Sequence, residues 1–141
     1  MKSRIITPAP RQIIGVNIPK EKAEIIGRLA ASENGRLVLR ENCANEQVGY
    51  LCGFNGFKAS DSAPESIFEE ILLFSGFDSK SLNRLLAEIR SKGCGVRLKA
   101  IVTAHNQSWT VKALEEELLK EHNAMEKYQQ ERKSSWIGEN K

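Results

Sequence analysis

Ile71-Leu72-Leu73-Phe74-Ser75-Gly76-Phe77-Asp78 decides the fold. Four consecutive apolar residues closed by Ser75-Gly76 make a run of strand length, covered on both faces and hence central in a sheet. Asp78 then stands where a helix N-cap accepts a backbone N–H. Leu82, Leu85, Leu86 and Ile89 follow at i, i+3, i+4, i+7, the buried stripe of a helix that Gly93 closes. Val96 to Val102 alternates Val96, Leu98, Ala100 and Val102 against Arg97, Lys99 and Ile101, the pattern of an edge strand with one wet face. Its end runs into Thr103-Ala104-His105-Asn106-Gln107-Ser108-Trp109-Thr110, the loop densest in polar and aromatic side chains. Thr110 caps a last helix whose apolar face is Val111, Leu114, Leu118, Leu119, His122 and Met125.

Upstream the same rhythm occurs once more. Gln12 to Val16 is a short apolar strand, Asn17 and Pro19 start a helix with Ala23, Ile26, Leu29 and Ala30 as its stripe, and Asn34-Gly35 ends it. Arg36 to Arg40 is the next strand, and Cys43 to Gly53 a short helix or turn. The rhythm is shared, but no residue-level repeat is visible between the halves. Alternation of this kind predicts an α/β fold: a layered sheet of about four mainly parallel strands with flanking helices and right-handed crossovers. A ferredoxin-like α+β arrangement is the alternative. The domain spans 11–126, as an N-terminal half 11–53, a surface connection 54–69 and a C-terminal half 70–126. Residues 1–10 form an irregular lead-in with Pro8 and Pro10, and 127–141 a polar, disordered tail.

The 141 residues suffice for one domain core without staples. With 40% hydrophobic and 28% charged residues the chain is not a disordered polymer. The start, Met1 to Pro8, lacks a signal-peptide core, and no run approaches the ~18 apolar residues of a membrane span, so a cytoplasmic location without membrane contact is expected. Cys43, Cys52 and Cys94 are odd in number and form no CxxC pair, and His105 and His122 lie on different segments; neither a disulfide framework nor a metal site is expected, and no cofactor motif occurs. Net charge is +3, in alternating blocks: residues 1–40 carry eight Lys/Arg against three Glu, residues 41–78 one Lys against seven acids, and residues 79–112 seven Lys/Arg against one Glu.

With all strands parallel, their carboxyl ends would gather Asn17, the Cys43–Gly53 segment, Ser75-Gly76 and Thr103–Trp109 at one edge, where open α/β sheets bind ligands. Helix N-termini there suit an anion. The candidate ligand-binding residues are Thr103, His105, Asn106, Gln107, Trp109, Ser75, Gly76, Tyr50 and Cys52. His105 would act as base or donor, Asn106 and Gln107 as polar clamps, and Trp109 as a stacking wall. The plainer reading has these residues capping the helix and pinning the turn. A Cys52–His105 dyad is the enzymatic alternative, against Cys52 as a small buried hydrophobe. Lys80, Arg84, Arg90, Lys92, Arg97 and Lys99 form a basic block that invites nucleic acid, against a solvated charged face; few aromatics and no phosphate loop or RNA-binding signature accompany it.

Ile71 to Phe77, the leucine-rich helix, Leu98-Lys99-Ala100-Ile101-Val102-Thr103, Asn106, Trp109 and Glu117 to His122 resemble a small bacterial family catalogued as domain of unknown function 3783. Gly49-Tyr50-Leu51-Cys52-Gly53 resembles the segment before that domain in longer members. The resemblance covers most of Ile13 to Met125 and is most specific over Lys99 to Trp109. Members often carry proline after the threonine, where Ala104 stands here. The resemblance implies a grouping and brings no activity or cofactor. The expectation is a non-enzymatic binding or regulatory module that meets a small anionic ligand or a protein partner at Thr103–Trp109, with an exposed edge strand that could support a homodimer.

Overall fold

The computed structural model describes residues 10–67 and 69–139. The lead-in expected over 1–10 therefore lies outside the described residues except for Pro10. Four strands, β1 (Gln12–Val16), β2 (Arg36–Arg40), β3 (Ile71–Ser75) and β4 (Leu98–Ile101), form one sheet in the order β2-β1-β3-β4. Helices α1 (Lys20–Ser32), α2 (Val48–Leu51), α3 (Ser79–Ser91) and α4 (Val111–Glu139) connect and flank them. β1 and β3, buried at every position, are the two central strands.

The sheet is mixed. β1 pairs parallel with β2 and β3 parallel with β4, but β1 and β3 run antiparallel. The expectation that all four carboxyl ends share one edge is thereby corrected: those of β1 and β2 lie at one edge, those of β3 and β4 at the other. Strand direction leaves no mark on a strand that is apolar on both faces, so β1 and β3 look the same in either sense.

Ile13, Leu72 and Phe74 face one side, where α1 and α3 bring Ile26, Ala30, Leu85 and Ile89. Ile14, Val16, Ile71, Leu73 and Leu98 face the other, covered by Ala44, Val48, Leu51, Val111 and Leu114. Val96, expected to share a face with Leu98, precedes β4 and packs with Cys94 on the α1/α3 side. The antiparallel connection lets two crossover helices lie side by side, tied by Arg84 of α3, which donates two hydrogen bonds of 2.9 and 2.8 Å to Glu33 at the end of α1.

The chain is two copies of one β-α-β-α module about a pseudo-two-fold axis. α1 and α3 each span 13 residues and start 59 positions apart, at Lys20 and Ser79. Each follows a residue with positive φ just after its strand, Asn17 (58°) or Gly76 (86°), and ends at another, Asn34 (61°) or Gly93 (71°). Of the Asn34-Gly35 pair it is Asn34 that takes the left-handed turn after α1. In the central pair Ile14 faces Leu73, its own counterpart 59 positions on, so the axis passes between them.

The same axis reappears on the other face. Gln47 bridges Thr110, the residues before α2 and α4. Val48 N–H donates to Trp109 C=O and Val111 N–H to Glu46 C=O, both at 2.9 Å. Gly49 N–H donates to Gln107 C=O and Lys112 N–H to Ala44 C=O, at 2.7 and 2.9 Å. Each bond is the symmetry mate of the other. α4 then continues to Glu139, through the residues assigned from sequence to a tail, while α2 stops after one turn at Gly53, whose φ is 76°. Beyond Met125 the chain meets no glycine or proline until Gly138, and Glu, Lys and Gln are good helix formers.

Candidate functional site

The Thr103–Trp109 turn leaves β4 beside the end of β3 and lies under the start of α2. Its shape is made locally. Thr103 Oγ1 accepts the N–H groups of His105 (3.2 Å) and Asn106 (3.3 Å), an ST turn. Asn106 replies with Oδ1 accepting Thr103 N–H at 2.9 Å, while its Nδ2 donates to Ile101 C=O at 3.0 Å. Gln107 N–H donates to Thr103 C=O and Trp109 N–H to Asn106 C=O, both at 3.0 Å. With its side-chain donor and acceptor both committed to the turn, Asn106 holds backbone rather than offering a polar clamp.

The second anchor is the Ala44–Gly49 segment, part of the Cys43–Gly53 stretch that the sequence placed at the binding edge, although none of the residues 44–49 was a candidate there. Besides the symmetric backbone bonds, Gln47 Nε2 donates to Ser108 C=O at 2.8 Å. Gln12, buried at the start of β1, donates from Nε2 to Cys52 C=O at 2.8 Å and so fixes the end of α2 over the same edge. The signal for it was an amide in an otherwise apolar strand, because a buried amide requires a partner. Although the strands are not all parallel, Cys43–Gly53 crosses the face of the sheet and reaches the edge where β3 and β4 end.

Tyr50, Phe54 and Trp109 are half-buried against the core beneath them. His105 is exposed, and its ring meets Trp109 edge-on with centroids 5.4 Å apart. Thr103 is exposed, Gln107 half-buried, Ser75 buried and Gly76 exposed. The surface is thus aromatic and polar and is made of half-exposed side chains on a pinned backbone.

Two chemistries expected here find the geometry against them. Cys52 is buried, and burial pushes its thiol pKa up against a smaller lowering by a hydrogen bond with Ser75. An activated nucleophile needs the opposite direction. At α4, Val111 and Lys112 N–H bond to carbonyls and Ala113 N–H to Thr110 Oγ1 at 3.1 Å, so the donors of its first turn are committed before an anion arrives. At α3 the carboxylate of Asp78 already takes Ser81 N–H at 2.8 Å.

The basic block is partly spent within the chain. Arg84 pairs with Glu33, Arg97 Nη1 lies 3.8 Å from a Glu69 carboxylate oxygen, and Lys99 Nζ donates to Val96 C=O at 2.7 Å. Lys80 and Lys92 are exposed on α3 and just after it. His122 pairs with Glu126 at 2.9 Å, away from the turn. Among the described residues no group of three or more His, Cys, Asp or Glu is placed to hold a metal ion, and no helix is long and apolar enough to cross a membrane.

Comparison with curated proteins and with solved structures returned no match. A family model did match, over a stretch that begins one residue before β3 and ends within α4, so that it takes in the whole turn. By that match the second module, residues 70–125, resembles the family described as Domain of unknown function (DUF3783).

Proposed function

We propose that this chain is a cytoplasmic, non-enzymatic binding module that docks a protein partner on the surface formed by α2 and the Thr103–Trp109 turn. One observation carries the reading: two segments bound reciprocally across the pseudo-two-fold axis hold Trp109 half-exposed with an exposed His105 edge-on against it, and Tyr50 and Phe54 are half-exposed on the same core cluster. Half-exposed aromatics on a rigid backbone anchor protein interfaces, because they bury large areas at little entropic cost. The committed helix donors argue for a protein rather than a small anion.

The test compares the wild-type chain with His105→Ala and Trp109→Ala in affinity capture, with a thermal-shift screen against anionic metabolites, nucleotides and short nucleic acids alongside. The expected result is a partner retained by wild type and lost by His105→Ala at unchanged melting temperature. An unchanged set of captured proteins, or a saturable stabilisation by a small anion that His105→Ala abolishes, overturns the reading.

A further inference from the structure

We propose that the outer edge of β2, unpaired among the described residues, with the hollow beside it, receives an extended acidic peptide segment of another protein as a fifth strand. The argument begins with backbone direction. Arg36 N–H donates to Arg11 C=O at 3.2 Å and Arg40 C=O accepts from Asn17 N–H at 3.1 Å, so residues 36, 38 and 40 turn their backbone groups toward β1. Alternation turns the N–H and C=O of Leu37 and Leu39 outward, and β2 is the end of the sheet order. Two residues thus present ladder donors and acceptors at an edge, the requirement for strand addition.

The side chains beneath are those of a receiving surface. Leu37 and Leu39 point over α1, where Ala23, Gly27 and Ala31 leave a hollow of about 740 Å³, and Leu39 is 53% exposed. The second module carries different residues at the same positions. On α3 the counterparts of Ala23, Gly27 and Ala31 are Leu82, Leu86 and Arg90. On β4 the counterpart of Leu39 is Ile101, since Leu39 pairs with Gly15 as Ile101 pairs with Phe74, and its outward C=O is already taken by Asn106 Nδ2 at 3.0 Å. The side chains of Leu39 and Ile101 are equally exposed, at 53%, so the two modules differ here in the backbone acceptor, which Asn106 takes in one and which no described residue takes in the other.

Charge selects the occupant. Arg36 and Arg40 flank Val38 on the opposite face of β2, and Lys20 and Arg28 outnumber Glu24 at the rim of the hollow. A second copy added antiparallel about Val38 would set Arg36 against the Arg40 of its partner, and like charges directly opposite destabilise a strand pair. Residues 1–9 carry Lys2 and Arg4 and no acid, so they suffer the same mismatch. A strand with acidic residues opposite Arg36 and Arg40 and apolar residues opposite Leu37 and Leu39 satisfies both faces.

The probe is the capped peptide Ser-Glu-Val-Thr-Val-Glu-Ser, titrated into the full-length ¹⁵N-labelled protein at low ionic strength, with the same peptide bearing Lys for Glu as control. Saturable shifts centred on the Leu37, Leu39 and Gly27 amides are expected, with the acidic peptide binding roughly three- to tenfold tighter than the control, as two cross-strand charge pairs would give. The double variant Arg36→Glu/Arg40→Glu, whose arginines are exposed, should keep the fold and reverse that preference. Gly27→Leu, which copies Leu86, should weaken binding of the acidic peptide. No shifts at β2, or equal affinity for both peptides, overturns the proposal. So does sedimentation of the wild type as a dimer that the charge-swapped variant loses, or appearance of binding only after residues 1–9 are removed, since the edge would then belong to a second copy or to the chain itself.

Discussion

In the first module α1 lays Ala23, Gly27 and Ala31 beside its edge strand, and α2 stops after one turn; in the second, α3 carries Leu82, Leu86 and Arg90 at the equivalent positions, and α4 runs on for 29 residues. The backbones agree to the residue in β1/β3 and α1/α3, so the difference is one of covering. β2 is half-buried only at Leu37 and Val38 and otherwise exposed, whereas on the α4 face of β4 Leu98 is buried and Ala100 half-buried; on the opposite face Lys99 and Ile101 are exposed, as Leu39 is. A module that covers its own strand can be built for stability alone. One whose edge strand no described residue covers keeps a surface, and an uncovered edge of that kind is what strand addition by a partner requires. This difference also matches where the family resemblance lies, on the self-covered module.

The sharpest way to break the comparison is at its axis. Ile14 and Leu73 face each other across the central pair, both fully buried. Each substitution to Ala should destabilise by about 2–5 kcal/mol, the cost of a core cavity. Because the residues touch, the double variant should depart from the sum of the singles. Urea titrations of the three variants check this. A large loss from Leu73→Ala with almost none from Ile14→Ala would show that the second module carries the stability and the first merely leans on it.

The next break is at the second pass of the axis. Gly49 and Lys112 are counterparts, each donating its N–H across the interface. A Cβ at Gly49 would stand 2.6 Å from the Phe57 ring, within the contact limit of any real side chain. Gly49→Ala should cost about 1–3 kcal/mol through overpacking. Lys112→Ala, on the equivalent but exposed position, removes only a surface pair with Glu65 and should leave the melting temperature nearly unchanged. Equal effects would mean that the two sides of the bridge are packed alike, against what Phe57 does on one side only.

How much of this the sequence revealed follows from which property each feature depends on. Strand and helix positions rest on periodicity, and Ile71–Phe74, the Leu82–Ile89 stripe and the Thr110 cap were legible for that reason. The repeat was not, because counterparts share a role and not a residue type: Asn17 and Gly76 both take positive φ, and Ala23 and Leu82 both face inward. Antiparallel pairing of β1 with β3 was illegible because neither strand has a polar face to orient. At the site, the density of polar residues in Thr103–Trp109 was visible, but their assignment was not. Asn106 spends both ends of its amide on Thr103 and Ile101, a local arrangement that the composition of the loop does not distinguish from a ligand clamp. The hollow beside β2 had a signal, small residues every fourth position on α1, which reads as ordinary helix without knowledge of the neighbouring strand.

A smaller effect sharpens the comparison at the helix starts. Thr110 caps α4 through Ala113 N–H, whereas its counterpart Gln47 makes no such bond and instead reaches Ser108. Thr110→Ala should cost about 1 kcal/mol. The same asymmetry holds between α3, capped by Asp78, and α1, which begins at Pro19 with no side-chain cap. Here pH provides the readout. The N–H of Ser81, then its hydroxyl, and more weakly the Arg11 and Arg84 charges hold the Asp78 carboxyl below its ordinary value. A carboxyl with a depressed folded pKa contributes stability that is present above its unfolded pKa, about 3.9, and is lost as pH falls through the folded one. The melting temperature of wild type minus that of Asp78→Asn should therefore be positive and flat at neutral pH, and shrink on acidification below about pH 4. Because Asp78 is largely exposed, with its side chain 62% accessible, added salt should shrink the part of the difference owed to Arg11 and Arg84 and spare the part owed to the backbone N–H. A pH-independent difference would mean that the cap works through hydroxyl-like geometry and not through charge, and α1 could then be given an equal start by placing Ser at Pro19.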